Sequence, residues 1–112
     1  MKPDAKPLPV CMTIAGSDSG GGAGIQADLK TFGSLNCYGV SAVTSVTAQN
    51  TLGVSDIHII PNPVLKNQIN SIVKDIGFDA VKTGMLPEES TVIDVANSLS
   101  ESAKPLILFK AS

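Results

Sequence analysis

No arginine occurs anywhere in the 112 residues; all eight basic side chains are lysines. Arginine supplies the planar, two-pronged donor best matched to phosphate and carboxylate, so an anion bound by this chain has to rest on lysine and on backbone N–H groups. Ten acidic residues bring the formal net charge to −2. No basic stripe is left to neutralise nucleic-acid phosphates, and nucleic acid is not a candidate partner. Cysteine is scarce too. Cys11 and Cys37 stand far apart, with no Cys-x-x-Cys spacing and no histidine beside them. Neither a disulfide framework nor a zinc site is indicated, and two buried free thiols are expected. Long apolar runs are also missing. Nothing approaches the roughly 18 residues of a membrane span, and residues 1–7 lack the apolar stretch of a secretory signal. The expectation is a cytoplasmic chain with no membrane partner.

What is present is apolar enough to fold. Hydrophobic residues make up 43% of the chain and charged residues 16%, with a mean hydropathy of +0.24, so disorder is not expected. The length suits one domain, which buries roughly 60 to 70% of the surface exposed by the unfolded chain. Residues 1–9 read as a leader and residues 10–112 as the folded part. There are no internal repeats and no low-complexity tract.

Val10 to Ala15 is almost continuously apolar, as a strand covered on both faces should be. A glycine-rich run follows at once. Ile25, Leu29, Phe32 and Leu35 then recur at helical spacing, with Gly33 and Asn36 as end signals. Tyr38 to Thr47 is rich in β-branched residues and reads as a strand, although the threefold spacing of its valines would also suit a helix. Asn50 to Gly53 turns the chain, and Val54 to Ile60 reads as an edge strand or flap closed by Pro61 and Pro63. Leu65, Ile69, Ile72, Val73 and Ile76 form a helical stripe ended by Gly77, and Ala80 to Thr83 reads as a strand. Pro87, Glu88 and Glu89 open a further helix, since proline fits a first turn and carboxylates favour its positive end. Pro105 to Phe109 is a last short strand. Strands separated by single amphipathic helices imply an α/β fold, an open parallel sheet with helices on both faces.

The run Ala15 to Gly24 holds five glycines, at 16, 20, 21, 22 and 24. Ligands of open α/β sheets bind beyond the carboxyl ends of the strands, and glycine there lets backbone approach a ligand closely. No Gly-Lys-Ser/Thr follows and the spacing is not G-x-G-x-x-G, so the run is neither a P-loop nor a dinucleotide fingerprint. The plainer reading is a tight turn with close helix packing. Asp18 argues for more, since a carboxylate here either caps the following helix or accepts hydrogen bonds from a ligand; both readings stay open.

Thr13 to Phe32 resembles the opening of the hydroxymethylpyrimidine and phosphomethylpyrimidine kinases of thiamine biosynthesis. Val43 to Val54, through Val46-Thr47-Ala48-Gln49-Asn50, is similar to a second signature of that family, and Asp79 to Pro87, through Lys82-Thr83-Gly84-Met85-Leu86, to a third. The resemblance implies a ribokinase-like fold and use of ATP and magnesium. It also implies transfer of a γ-phosphoryl group to the hydroxymethyl oxygen of a pyrimidine, then to its monophosphate. It places Gln49 on the aminopyrimidine edge, Gly16, Asp18 and Gly22 against the substrate, and Met85 as an apolar wall beside the ring. Lys82 either takes part or simply pairs with Asp79 or another carboxylate.

The family continues into a strand ending Asp-Pro-Val-Met and a nucleotide half with a glycine-rich anion hole. Pro105 to Ser112 contains no Asp-Pro. The expectation is therefore an incomplete ribokinase-like domain that carries the pyrimidine side of the site, no catalytic residue, no metal ligand and little of the ATP site. Cys37 does not replace the family's catalytic cysteine, having no glycine-rich anion hole around it. An unpaired sheet edge would favour self-association or a homo-oligomer. Two other functions stay in view, a pyridoxal-type kinase fragment and a noncatalytic binding or dimerisation module.

Overall fold

A computed structural model describes residues 8–100 and, as backbone, residues 106–108. The leader up to residue 7 and the ends of the Pro105–Phe109 segment lie outside the described residues. The elements run β1 (Val10–Asp18), α1 (Gly24–Ser34), β2 (Tyr38–Asn50), β3 (Gly53–Ile59), α2 (Asn62–Lys74), β4 (Ala80–Thr83), α3 (Glu89–Ser100) and β5 (Leu106–Leu108).

Five strands form one sheet in the order β3-β2-β1-β4-β5. β1 pairs in parallel with both β2 and β4, and β4 with β5. β3 folds back antiparallel on β2 as the edge strand, so the expected edge position holds and the sheet is mixed at that one edge. The chain steps from β1 to β2 in one direction and later crosses back past β1 to β4. Right-handed crossovers in opposite directions put their helices on opposite faces. Accordingly α1 lies over one face, with Leu29 and Phe32 against Gly39, while α2 and α3 cover the other.

The apolar core lies on the α2 and α3 side. Met12 and Ile14 of β1, Val40 and Ala42 of β2 and Val81 of β4 meet Leu65 and Ile69 of α2 and Val95 and Leu99 of α3. Each fully buried aliphatic side chain of this kind contributes about 1.5 to 3 kcal/mol relative to exposure. The α1 face is different. No residue of α1 is fully buried, and Thr13 of β1 donates to Asp28 of α1 at 2.6 Å, so the layer beneath this helix is partly polar.

Two devices finish the sheet at the β2 edge. β3 pairs β2 only from Ser45 onward, and just before it the Gln68 side chain takes the place of a strand. Its Oε1 accepts from the Val43 N–H at 2.8 Å and its Nε2 donates to the Val43 carbonyl at 3.0 Å. At the opposite end of the β1–β4 pair, Val10 N–H donates to Asp79 Oδ2 at 2.7 Å while Asp79 N–H donates back to the Val10 carbonyl at 2.7 Å. Asp79 is thus committed to the base of the sheet.

β1 runs three residues beyond its apolar stretch, through Gly16 to Asp18. What carries it on is pairing with β2 across an irregularity: Ala15 faces Val43, but Ser17 faces Val46. β2 therefore has one extra residue there, the kind of bulge that re-aims side chains next to a site.

Candidate functional site

The carboxyl ends of β1, β2 and β4 open into a cavity of about 870 Å³, within the range of roughly 300 to 1,000 Å³ typical of small-molecule sites. Gly16 and Asp18 reach it from β1, Ser45, Thr47 and Gln49 from β2, and Met85 from the segment after β4. β3 adds an apolar wall through Val54, Ile57 and Ile59, all three exposed to solvent. The site thus lies where ligands of open α/β sheets bind, and the hairpin closes one side.

The glycine run resolves the open question about Asp18. Its carboxylate is buried, at 6% exposure, and faces back into its own loop. Oδ1 accepts from Gly20 N–H at 2.8 Å, and Oδ2 accepts from Gly22 N–H at 3.0 Å and Ala23 N–H at 2.8 Å. Hydrogen bonds to an ionised acceptor are the strong ones. Asp18 is therefore the resident anion of this loop, and these three N–H groups are not open to a phosphate. It does not cap α1 in the ordinary sense, since Ala23 holds the N-cap position without a side-chain bond. Gly22 is not part of the cavity lining; it serves the site through its N–H to Asp18.

Gly24 makes the loop sterically possible. Its φ is +60°, and a Cβ there would lie 2.2 Å from the Gly16 carbonyl oxygen, where β1 and the start of α1 bridge through Ser17 and Gly24. Gln26 of α1 secures the same junction: its Oε1 accepts from Asp18 N–H at 2.9 Å and its Nε2 donates to Ser17 Oγ at 2.7 Å. Gly16 is restricted less severely: a Cβ would come 2.7 Å from Ser45 Oγ, the end of a side chain that can turn aside.

Gln49 sits at the cavity with its backbone pinned. Its N–H donates to Ser19 Oγ at 2.7 Å, and the same hydroxyl donates to the Gln49 carbonyl at 2.6 Å. Its side-chain amide meets Thr47 Oγ1 at 3.1 Å. Met85 is 68% exposed and forms an apolar part of the cavity rim.

Lys82 borders the cavity from β4 and pairs with Asp28 of α1, Nζ to Oδ1 2.7 Å. The partner is a carboxylate 54 residues away and not the nearby Asp79. Asp28 in turn accepts from Thr13, so a Thr13–Asp28–Lys82 chain underlies the cavity between sheet and helix.

Sequence reasoning missed Ser45, Thr47, Asp28 and the β3 wall. A signal existed for the first two, because Ser45, Thr47 and Gln49 alternate along one strand and period two puts them on one face. Nothing local marks Asp28. Cys37 precedes β2 at the end of the sheet away from the cavity. Among the described residues no group of three or more histidines, cysteines or carboxylates is placed to hold a metal ion, and no described helix is long and apolar enough to cross a membrane.

Residues 18–108 match the phosphomethylpyrimidine kinase family. The chain is 54% identical over 90 residues to a hydroxymethylpyrimidine/phosphomethylpyrimidine kinase of Bacillus subtilis, an alignment covering 80% of this chain and 33% of that enzyme. Among solved structures, a phosphomethylpyrimidine kinase from Clostridium difficile superposes with a TM-score of 0.86 at 42% identity over 89% of this chain and 44% of that one. A pyridoxal kinase from Staphylococcus aureus, in complex with AMP-PCP, superposes with a TM-score of 0.82 at 36% identity, covering 92% and 38%. The chain thus spans about a third of the length of the Bacillus subtilis relative and under half of either solved structure, and its fold is that of the ribokinase-like kinases. With its mixed sheet, its cavity at the strand ends and its glycine-rich turn after β1, this chain belongs to the phosphomethylpyrimidine kinase family.

Proposed function

We propose that this chain supplies the pyrimidine-binding half of a hydroxymethylpyrimidine and phosphomethylpyrimidine kinase of thiamine biosynthesis. The observation that carries the proposal is the meeting of Gln49, Gly16 and Met85 at one cavity with an apolar wall. Gln49 offers a donor and an acceptor to an aminopyrimidine edge. Gly16 lets the ring lie against β1 backbone, and Met85 with the β3 side chains covers it. Asp18 acts from behind by holding the loop, with Gly22 as one of its donors.

The γ-phosphoryl donor of the family, ATP with magnesium, needs groups to hold phosphate and metal. The described residues do not fit that requirement. The loop N–H groups are engaged by Asp18, Lys82 is paired with Asp28, and no metal-holding cluster is present among them. Loss of one preorganised donor costs a transition state about 3 to 4 kcal/mol. No phosphoryl-transfer step is assigned to these residues, and the isolated chain is expected to bind pyrimidine without turning it over.

A pyridoxal-type kinase is the second reading, favoured by the likeness to the Staphylococcus aureus pyridoxal kinase. Calorimetry with hydroxymethylpyrimidine and with pyridoxal separates the two, the pyrimidine being expected to bind more tightly. Preference for pyridoxal would overturn the proposal. An ATP-coupled assay showing turnover by the purified chain would overturn its restriction to binding.

A further inference from the structure

We infer that Thr47 fixes the orientation of the Gln49 amide, and that this makes the cavity select an amino-bearing pyrimidine edge over its oxo counterpart. The inference rests on the pyrimidine reading and goes beyond it by naming what sets the polarity of recognition. Thr47 Oγ1 lies 2.7 Å from the Ser17 carbonyl oxygen and 3.1 Å from Gln49 Oε1. A threonine hydroxyl has one hydrogen and cannot donate to both. The contact to Ser17 is the shorter, and a peptide carbonyl can only accept, so the proton goes there. Thr47 then faces Gln49 as an acceptor.

A side-chain amide has two near-isosteric ends, and its orientation follows from the hydrogen bonds available to it. Facing an acceptor, Gln49 turns its NH2 toward Thr47. Ser17 carbonyl, Thr47 hydroxyl and Gln49 amide then form one directional chain in which every proton has a place. Backbone freedom does not undo it, because Ser19 holds both the N–H and the carbonyl of Gln49.

The consequence reaches the ligand. With one N–H given to Thr47, the amide keeps its oxygen and its second N–H for the cavity. That donor and acceptor complement an edge in which an exocyclic amino group stands beside a ring nitrogen. An oxo pyrimidine presents the reverse order, a carbonyl beside a ring N–H, and would need the amide flipped. A flip sets NH2 against the cavity side and the amide oxygen against a hydroxyl whose proton is already committed, leaving two acceptors face to face. Thr47 is a positioning residue, since it acts through Gln49.

Binding of hydroxymethyl aminopyrimidine and of its oxo analogue to the full chain, measured by calorimetry, tests this. The chain should prefer the amino compound by at least about tenfold, the scale of one misdirected hydrogen bond. Thr47→Val keeps the shape of the side chain and frees the amide, so the preference should fall to within about threefold. Thr47→Ser should restore it. A folding defect scales the apparent affinity for both compounds alike and so cannot change their ratio, and a thermal melt of each variant sets the temperature at which binding is read on folded protein. An unchanged ratio in Thr47→Val, or no restoration in Thr47→Ser, overturns the role of Thr47 while leaving the pyrimidine site in place. Failure of the chain to bind either compound overturns the site reading and this inference with it.

Discussion

Lys82 and Asp28 form an ion pair at 2.7 Å that ties β4 to α1 beneath the cavity. Their side chains are 25% and 14% exposed, so the pair is neither a surface contact of negligible worth nor a fully desolvated one. Removing one partner leaves a partly buried charge uncompensated. Lys82→Met is expected to cost about 2 to 3 kcal/mol, below the cost at a fully buried site. Adding Asp28→Asn should return part of that loss. Urea denaturation checks both, with a shifted midpoint and an unchanged m value as the expected signature.

Two glycines of the same loop should respond oppositely to alanine. At Gly24 a Cβ would meet the Gly16 carbonyl oxygen at 2.2 Å in a backbone with φ +60°, and Gly24→Ala should cost at least about 2 kcal/mol. At Gly22 the nearest atom to a Cβ is Asp18 Oδ2 at 3.8 Å, so Gly22→Ala should stay within about 0.5 kcal/mol of wild type. Thermal melts of the two variants would decide it, and equal effects would contradict the loop geometry.

That contrast shows what the sequence could carry. Helices α1 and α2 were legible because apolar residues recur at helical spacing, and β1 and β2 because of a continuous apolar run and a high β-branched content. The end of β1 was not, since glycines at 16 and 20 to 22 read as a turn, and only pairing with Val46 and Thr47 across the bulge keeps the chain extended. The placing of Gln49, Asp18, Gly16 and Met85 together followed from motif resemblance, and the fold puts all four at one cavity. The partner of Lys82 was illegible. Asp79 is near in sequence, but the sheet spends it on Val10 and brings α1 across instead, a long-range choice that no local pattern records.

The resident-anion role of Asp18 has its own signature. In Asp18→Ala the amides of Gly20, Gly22 and Ala23 lose their common acceptor, at an expected cost of about 3 kcal/mol in total. Asp18→Asn keeps one acceptor oxygen but turns an NH2 toward N–H donors, and should be nearly as damaging. Hydrogen exchange of those three amides reads the effect directly. Protection lost in the loop, with the core at Ile14 and Ile69 still protected, is the expected pattern; protection unchanged in Asp18→Ala would refute it.

At the other end of β1, stability depends on pH through Cys11. Burial first, then the neighbouring Cys37 thiol and the Asp79 charge, push the Cys11 thiol from an ordinary 9.0 up to about 11. Asp79 is held nearby by the Val10 N–H, so the cause is built into the base of the sheet. A raised value means that the folded chain holds this proton more tightly than the unfolded chain does. Below pH 9 both states keep the proton and stability is unaffected. As pH rises toward about 11 the unfolded state releases it first, and stability falls. Cys11→Ala has no thiol to titrate and should lose less stability over the same interval, with the lysines contributing equally to both proteins. Urea midpoints measured from neutral pH to the upper end of that window test the linkage, and parallel curves for the two proteins would show that Cys11 titrates alike in both states.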